Sequence, residues 1–374
     1  PLPADDPNGM TTRPSLAVIG TGGLARAVCY ALAVIGPPAH VTVIGRDPAR
    51  TADLCHVGMA RAALSGTGVS FRPQTADPSS EDALAEALAA AAPAGVLLAA
   101  SSQSPWESLS SPSAWTALLR RGGFGLTLPF QAESAVRAGE ALASACPGSW
   151  FVNACFPDAV NPVLAAGGTQ VLCGIGNAGL LAASLQAALG LPDQRELQVL
   201  AHHAHLYAPA SPETEARAWH QGRPLADVGT LLAGQRATSR TELNHVTGLT
   251  AARVLGCLLT GGDLDTSLPG PLGLPGGYPV RLAAGRLSLR LPPGVDRADA
   301  VAFNQRSAVQ DGVVVDGTRV TFGPAAQQEL ARVAPDLADG FHVADLAPVT
   351  KAFAQLRDRL RDLPADSPSP ADNP

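Results

Sequence analysis

A doubly wound parallel α/β sheet followed by a mixed α+β half is the fold class predicted for this chain, and three features predict it. A glycine-rich hexapeptide, Gly20-Thr21-Gly22-Gly23-Leu24-Ala25, joins a short apolar run to an Ala-rich helical stretch. Apolar runs and helical periodicity then alternate as far as residue 177, the pattern of consecutive βα units. Beyond residue 177 the alternation gives way to a long helix and paired short strands.

Taken in order, residues 1–14 are polar and Pro-rich and are expected to be disordered, with Met10 a candidate start. The first strand is Leu16-Ala17-Val18-Ile19, followed by the glycine turn, a helix near 23–36 and a strand at 41–44. A helix over 48–64, a weak strand at 69–71 and an Ala-rich helix at 80–92 lead to residues 95–100. That run is wholly apolar, as a parallel strand covered on both faces should be. Polar residues 101–113 precede helices near 113–120 and 131–145, a strand at 150–156, a short helix and a strand at 170–173. A helix at 178–189 opens the second half. It continues with a strand over 197–207, a helix over 241–260, a Gly/Pro-rich connection at 261–278, strands near 279–291 and 312–322, and a helix at 347–362. The tail, 363–374, has the Pro, Asp and Ser content of a disordered segment. At 374 residues the chain exceeds what one core commonly serves. The expected domains are therefore 15–177 and 178–362.

The hexapeptide carries the first chemistry. In a strand–turn–helix context Gly20 permits the tight turn, Gly22 lets backbone approach a pyrophosphate, and Ala25 allows helix to pack closely on strand. The helix amino terminus then offers free N–H groups to phosphate. Thr21, Gly23 and Leu24 complete a Rossmann dinucleotide turn, and Ala100-Ser101, at the end of a neighbouring strand, closes the crevice. An NAD-binding site places an acid at the end of the second strand, on the ribose 2′-OH. Here that strand ends Ile44-Gly45-Arg46-Asp47. Gly45 takes the acid's position, and Arg46, with Arg50 one turn on, suits a 2′-phosphate. NADP is favoured over NAD. Asp47 reads as a helix N-cap ahead of Pro48, although a two-residue shift in register would make it the ribose acid.

Composition narrows the partners. The net charge of −6 is dispersed, with neither a basic stripe nor interleaved aromatics, which argues against nucleic acid and for a small-molecule ligand. No apolar run is long enough to span a bilayer and no export signal is evident, so a cytoplasmic location is expected. The six cysteines are scattered without a CxxC pair and read as reduced thiols.

Three places resemble the lactate/malate dehydrogenase superfamily, which also includes the family 4 glycoside hydrolases. They are the glycine turn; Trp150-Phe151-Val152-Asn153 continuing to Pro157-Asp158-Ala159-Val160-Asn161-Pro162-Val163; and Val171-Leu172-Cys173-Gly174-Ile175-Gly176-Asn177 leading through Leu189-Gly190-Leu191-Pro192 to Ala201-His202-His203-Ala204-His205. The resemblance implies that Asn153 lies beside the nicotinamide ribose and that a histidine is the acid/base. It also implies a homodimer or homotetramer. The imidazole pKa near 6.5 suits proton transfer to a carbonyl or imine reduced by hydride. On a strand His203 and His205 would share a face; the dehydrogenase pattern fits His203 and the glycosidase pattern His205. Asn177, after a strand end facing the crevice, is a further candidate. No metal is expected: the position matching the glycosidase cysteine is Gly176, and Cys173 is offset from it.

The family's carboxylate-gripping arginines have no counterpart in 177–184 or in 101–108, and the first of these segments also lacks the aspartate that would pair with the histidine. Gln103, Trp106 and the loop serines suit a less anionic substrate held by stacking and neutral hydrogen bonds. The sequence thus predicts an NADP-dependent oxidoreductase acting on C=O or C=N. The alternatives are a redox-assisted lyase or hydrolase and a non-catalytic nucleotide-binding protein.

Overall fold

The computed structural model describes residues 13–104 and 107–365. Most of the predicted amino-terminal extension, most of the predicted tail, and Trp106 lie outside the described residues.

Six parallel strands form the central sheet: β1 (Ser15–Ile19), β2 (His40–Gly45), β3 (Ser70–Thr75), β4 (Gly95–Leu98), β5 (Trp150–Asn153) and β6 (Cys173–Gly174). Their order is β3-β2-β1-β4-β5-β6, so the winding reverses between β1 and β4, and a crevice opens there at the carboxyl ends. Helices α1 (Gly23–Ile35), α2 (Pro48–Ser65) and α3 (Glu81–Ala91) make the crossovers of the first half. Each starts where its sequence says it should. Asp47 caps α2 ahead of Pro48 by accepting the Arg50 N–H, and Ser80 caps α3 through the Ala83 N–H. The start of α1 carries no side-chain cap and no acid in its first turn.

Several sequence expectations change, among them the strand predicted at 150–156, which ends at Asn153. The strand predicted at 170–173 shrinks to two residues, because Leu172 turns its carbonyl to the Leu272 N–H of the second half. The strand predicted over 197–207 stops at Leu200, and residues 203–206 form a single 3-10 turn. That turn is favoured because Nδ1 of His205 accepts the His202 N–H at 2.8 Å, satisfying backbone that a ladder would otherwise have to pair.

The second half holds three small antiparallel sheets, one of which takes the strand Leu264–Pro269 from within the predicted connection at 261–278. The long helix Arg240–Thr260 lies along α1, so close that a methyl on Gly248 would come within 2.6 Å of Ala27. The final helix, Leu346–Arg361, returns to the nucleotide half. Its Phe353, Leu356 and Leu360 share one buried cluster with Leu88, Trp115 and Phe130. Burying each such side chain contributes about 1.5–3 kcal/mol, and together they weld the end of the chain to the first sheet. No helix among the described residues is long and apolar enough to cross a membrane.

Candidate active site

A cavity of about 1040 Å³ occupies the crevice, lined at one end by residues 20–24 and at the other by His203. Gly20 sits at φ +126°, and a Cβ there would lie 2.5 Å from the Ala99 carbonyl oxygen, so only glycine fits. A Cβ on Gly22 would meet nothing within 4 Å: the space above it is open. That opening, beside an uncapped helix with free N–H groups, fits the pyrophosphate of a dinucleotide. Ala25 is fully buried and packs α1 on the sheet, while Ala100 and Ser101 form part of the cavity wall.

The end of β2 is equally specific. A Cβ on Gly45 would lie 2.7 Å from both Thr21 Cγ2 and Thr51 Oγ1, leaving no room for an acid. Asp47 spends a carboxylate oxygen on the helix cap. Arg46 and Arg50 reach the cavity rim exposed, and neither guanidinium makes a hydrogen bond or ion pair among the described residues.

At the opposite end, Nδ1 of His203 donates to Oδ1 of buried Asp311 at 2.9 Å. The ring is stacked on Phe124 (5.0 Å, 25°) and packed against Phe156 (5.3 Å, 69°). His203 lines the cavity, and its Nε2 makes no hydrogen bond among the described residues. Asp311 also faces His202, whose Nδ1 lies 2.9 Å from Oδ2 and 3.3 Å from the Ala204 nitrogen; the shorter contact, to a carboxylate, is the stronger. Burial alone would raise the Asp311 pKa, but the two imidazoles hold it well below the usual carboxylate range. Burial likewise pulls His202 down, and Asp311 reverses that to a net rise.

Phe156 adopts the left-handed conformation (φ +47°, ψ 54°), which costs a bulky residue about 1–3 kcal/mol. The surroundings hold it there, with its ring against Phe124 and His203. Phe124 is fixed from the other side. Cβ atoms on Gly123 and Gly125 would lie 2.5 Å and 2.7 Å from the Asp311 carbonyl oxygen, so these glycines let the Phe124 segment sit directly on the Asp311 backbone. Asp158, fully buried, accepts the His203 N–H at 3.0 Å and the Asn177 amide at 2.8 Å. One carboxylate thereby sets the histidine turn and holds Asn177 at the cavity wall.

His205 and Asn153 are placed differently from expectation. His205 is wholly buried, stacked on Phe303 at 5.6 Å, with both ring nitrogens on backbone: Nδ1 on His202 and Nε2 on the Thr214 carbonyl. Burial, reinforced by His202, pushes its pKa down to about 4. The strand on which the two histidines would have shared a face has become a turn, which sends their rings apart. Asn153 is also fully buried, its amide bonded to Cys155 N–H, Cys155 carbonyl and Asn161, and it does not line the cavity. It braces the floor while residues 154–157 form the wall. Gln103, expected to meet substrate, does line the cavity, with its amide bonded to Trp115 and Glu107, and Glu107 in turn receives Arg361. Cys155 reaches the wall, but burial pushes its thiol up to about 12.

Asp311, Phe124 and Asp158 were not read from the sequence as site residues. Asp311 lies 108 positions from its histidine, a separation that no local pattern bridges. The Gly123-Phe124-Gly125 triplet was the available signal. Arg240, Asn244 and Thr247 also line the cavity from the long helix, where their i, i+4, i+7 spacing could have been noticed.

No protein-family profile matches the chain, and no curated sequence matches it. Solved structures do. A malate dehydrogenase from Salinibacter ruber is 14% identical, covering 86% of this chain and 99% of its own, with a TM-score of 0.53. The malate dehydrogenase from Picrophilus torridus in its apo form is 11% identical over 92% and 99%, with a TM-score of 0.52. A lactate dehydrogenase from Eimeria maxima, solved with NADH and oxamate, is 14% identical over 79% and 91%, at 0.50. Such identities speak to architecture: this chain has the fold of the lactate and malate dehydrogenases.

Proposed function

We propose that this protein is an NADP-dependent oxidoreductase that moves hydride between the nicotinamide and the C=O or C=N carbon of a small substrate, with His203 as acid/base. The observation that carries the reading is the free Nε2 of His203, in one cavity with the glycine turn and backed on Nδ1 by an ionised carboxylate. The bound dinucleotide supplies or accepts the hydride. Residues 20–24 would hold its pyrophosphate, and Arg46 and Arg50 its 2′-phosphate. The crowded Gly45 disfavours the acid that NAD recognition uses.

In the reducing direction His203 gives its Nε2 proton to the substrate oxygen or nitrogen as the neighbouring carbon gains hydride, and the ring ends neutral. Asp311 fixes Nδ1 as the donor toward itself and leaves Nε2 as the nitrogen that exchanges the proton. Phe124 covers a ring face, so reaction takes place at the Nε2 edge. Calorimetry with NADPH and NADH tests the cofactor assignment: NADPH should bind the more tightly, and binding of NADH alone, or of neither, removes it. Stopped-flow oxidation of NADPH against a panel of small ketones, aldehydes and imines tests the reaction.

A further inference from the structure

We propose that Arg240 and Asn244, on the long helix of the second half, grip the pyrophosphate from the side opposite the glycine turn. This rests on the reading of the cavity as a dinucleotide site. Four residues of the helix, Arg240, Leu243, Asn244 and Thr247, line the cavity with the spacing of a single helical face. The helix runs beside α1 in step and in the same direction. A methyl on Gly23 would lie 3.6 Å from Asn244 Nδ2, one on Gly248 would strike Ala27, and one on Gly256 would lie 3.2 Å from Pro37 Cδ. Since Asn244 stands beside the first residue of α1, Arg240 overhangs the glycine turn one helical turn earlier, where the uncapped N–H groups converge.

The Arg240 side chain is prepared for an anion. Its guanidinium lies over the Tyr207 ring at 5.2 Å and makes no hydrogen bond or ion pair among the described residues, so its N–H edge is free. The Tyr207 platform follows the turn that carries His203, which ties this cation to the reacting end of the cavity. The Asn244 side-chain amide likewise has no hydrogen bond among the described residues. Backbone N–H groups alone would leave one side of a doubly charged pyrophosphate without a counter-charge. Arg240 supplies it, so the second half of the chain takes part in holding the cofactor.

The test is calorimetric titration of the full chain with NADPH and with adenosine 2′-monophosphate, which lacks a pyrophosphate. Arg240→Met keeps the stem against Tyr207 and should raise the Kd for NADPH about tenfold, while changing the Kd for adenosine 2′-monophosphate by less than about twofold. Its NADPH affinity should also fall less steeply with salt. Asn244→Ala should raise the NADPH Kd about threefold. An unchanged NADPH affinity in Arg240→Met overturns the inference, as does an equal loss for both ligands, which would indicate a disturbed nucleotide half. If the unmodified protein binds neither NADPH nor NADH, the dinucleotide reading itself falls, and this inference with it.

Discussion

The two ends of the cavity are built in opposite ways. The glycine-turn end is mostly local: residues 20–24 and 45–47 with Arg50 form most of its wall, the long helix adds Arg240 and Asn244, and its geometry follows from Gly20 and Gly45, which leave no room for a Cβ, and from a helix left uncapped. The histidine end is assembled from distant pieces. His203 comes from one turn, Asp311 from another 108 positions on, Phe124 from a glycine-flanked triplet, and Asp158 from the helix after β5. A local site fails when its own backbone is disturbed, whereas an assembled site fails when any contributing segment shifts. On the proposed reading one end binds and the other reacts, and variants at each end test whether the two are separable.

The largest expected effect is on turnover. His203→Gln keeps a donor for Asp311 but cannot shuttle a proton, and should lower kcat about 10²–10⁴-fold. The Kd for NADPH, measured calorimetrically, should remain unchanged; a fall in both would show that the two ends are not separable. Gly20→Ala attacks the other end by forcing a Cβ into the Ala99 carbonyl at a positive φ. Denaturant unfolding should show a loss of about 2–4 kcal/mol, together with loss of NADPH binding. A variant as stable as the parent would contradict the stated geometry.

His205 sharpens the contrast by behaving as structure and not as chemistry. Its pKa, about 4 when folded against 6.5 as an ordinary histidine, means that the unfolded chain binds the extra proton between those values. Stability therefore falls as pH drops from about 6.5 toward about 4, by up to about 1.4 kcal/mol per pH unit for one such group. The lowered Asp311 acts at more acid pH: its contribution is present above the ordinary carboxylate range and is lost as pH falls through its folded value. Raised His202 has the opposite sign, stabilising below pH 6.5 and fading as pH rises through its folded value. His205→Gln, followed by urea unfolding from pH 4 to 7, should flatten the slope while turnover per folded molecule persists. A lost turnover with an unchanged slope would transfer the acid/base role to His205. The smallest effect is expected at the rim: Arg46→Ala should weaken NADPH binding about tenfold and leave NADH within about twofold. Equal weakening of both would remove Arg46 from 2′-phosphate recognition.

Much of the glycine-turn end was legible because its determinants are close in sequence. The apolar 95–100 run marked β4, and Asp47-Pro48 announced the α2 cap that the structure contains. The histidine end was legible only as a cluster of imidazoles. Its strand became a turn because side-chain nitrogens satisfied the backbone, a choice that periodicity does not encode. Asn153 looked like a site residue because it ends a strand at the crevice, yet its amide is consumed by Cys155 and Asn161.

By itself, then, the sequence determined the doubly wound sheet, the glycine turn and the basic residues at the end of β2. Each depends on backbone conformations and packing periodicities fixed within a few residues. Tertiary structure decided which histidine meets the cavity, which carboxylate stands behind it and which residues of the long helix line the same cavity. Those choices depend on Gly123 and Gly125 resting on the Asp311 backbone and on the long helix lying in step with α1. Such contacts join segments far apart in the chain, and their register is set by close packing rather than by local pattern.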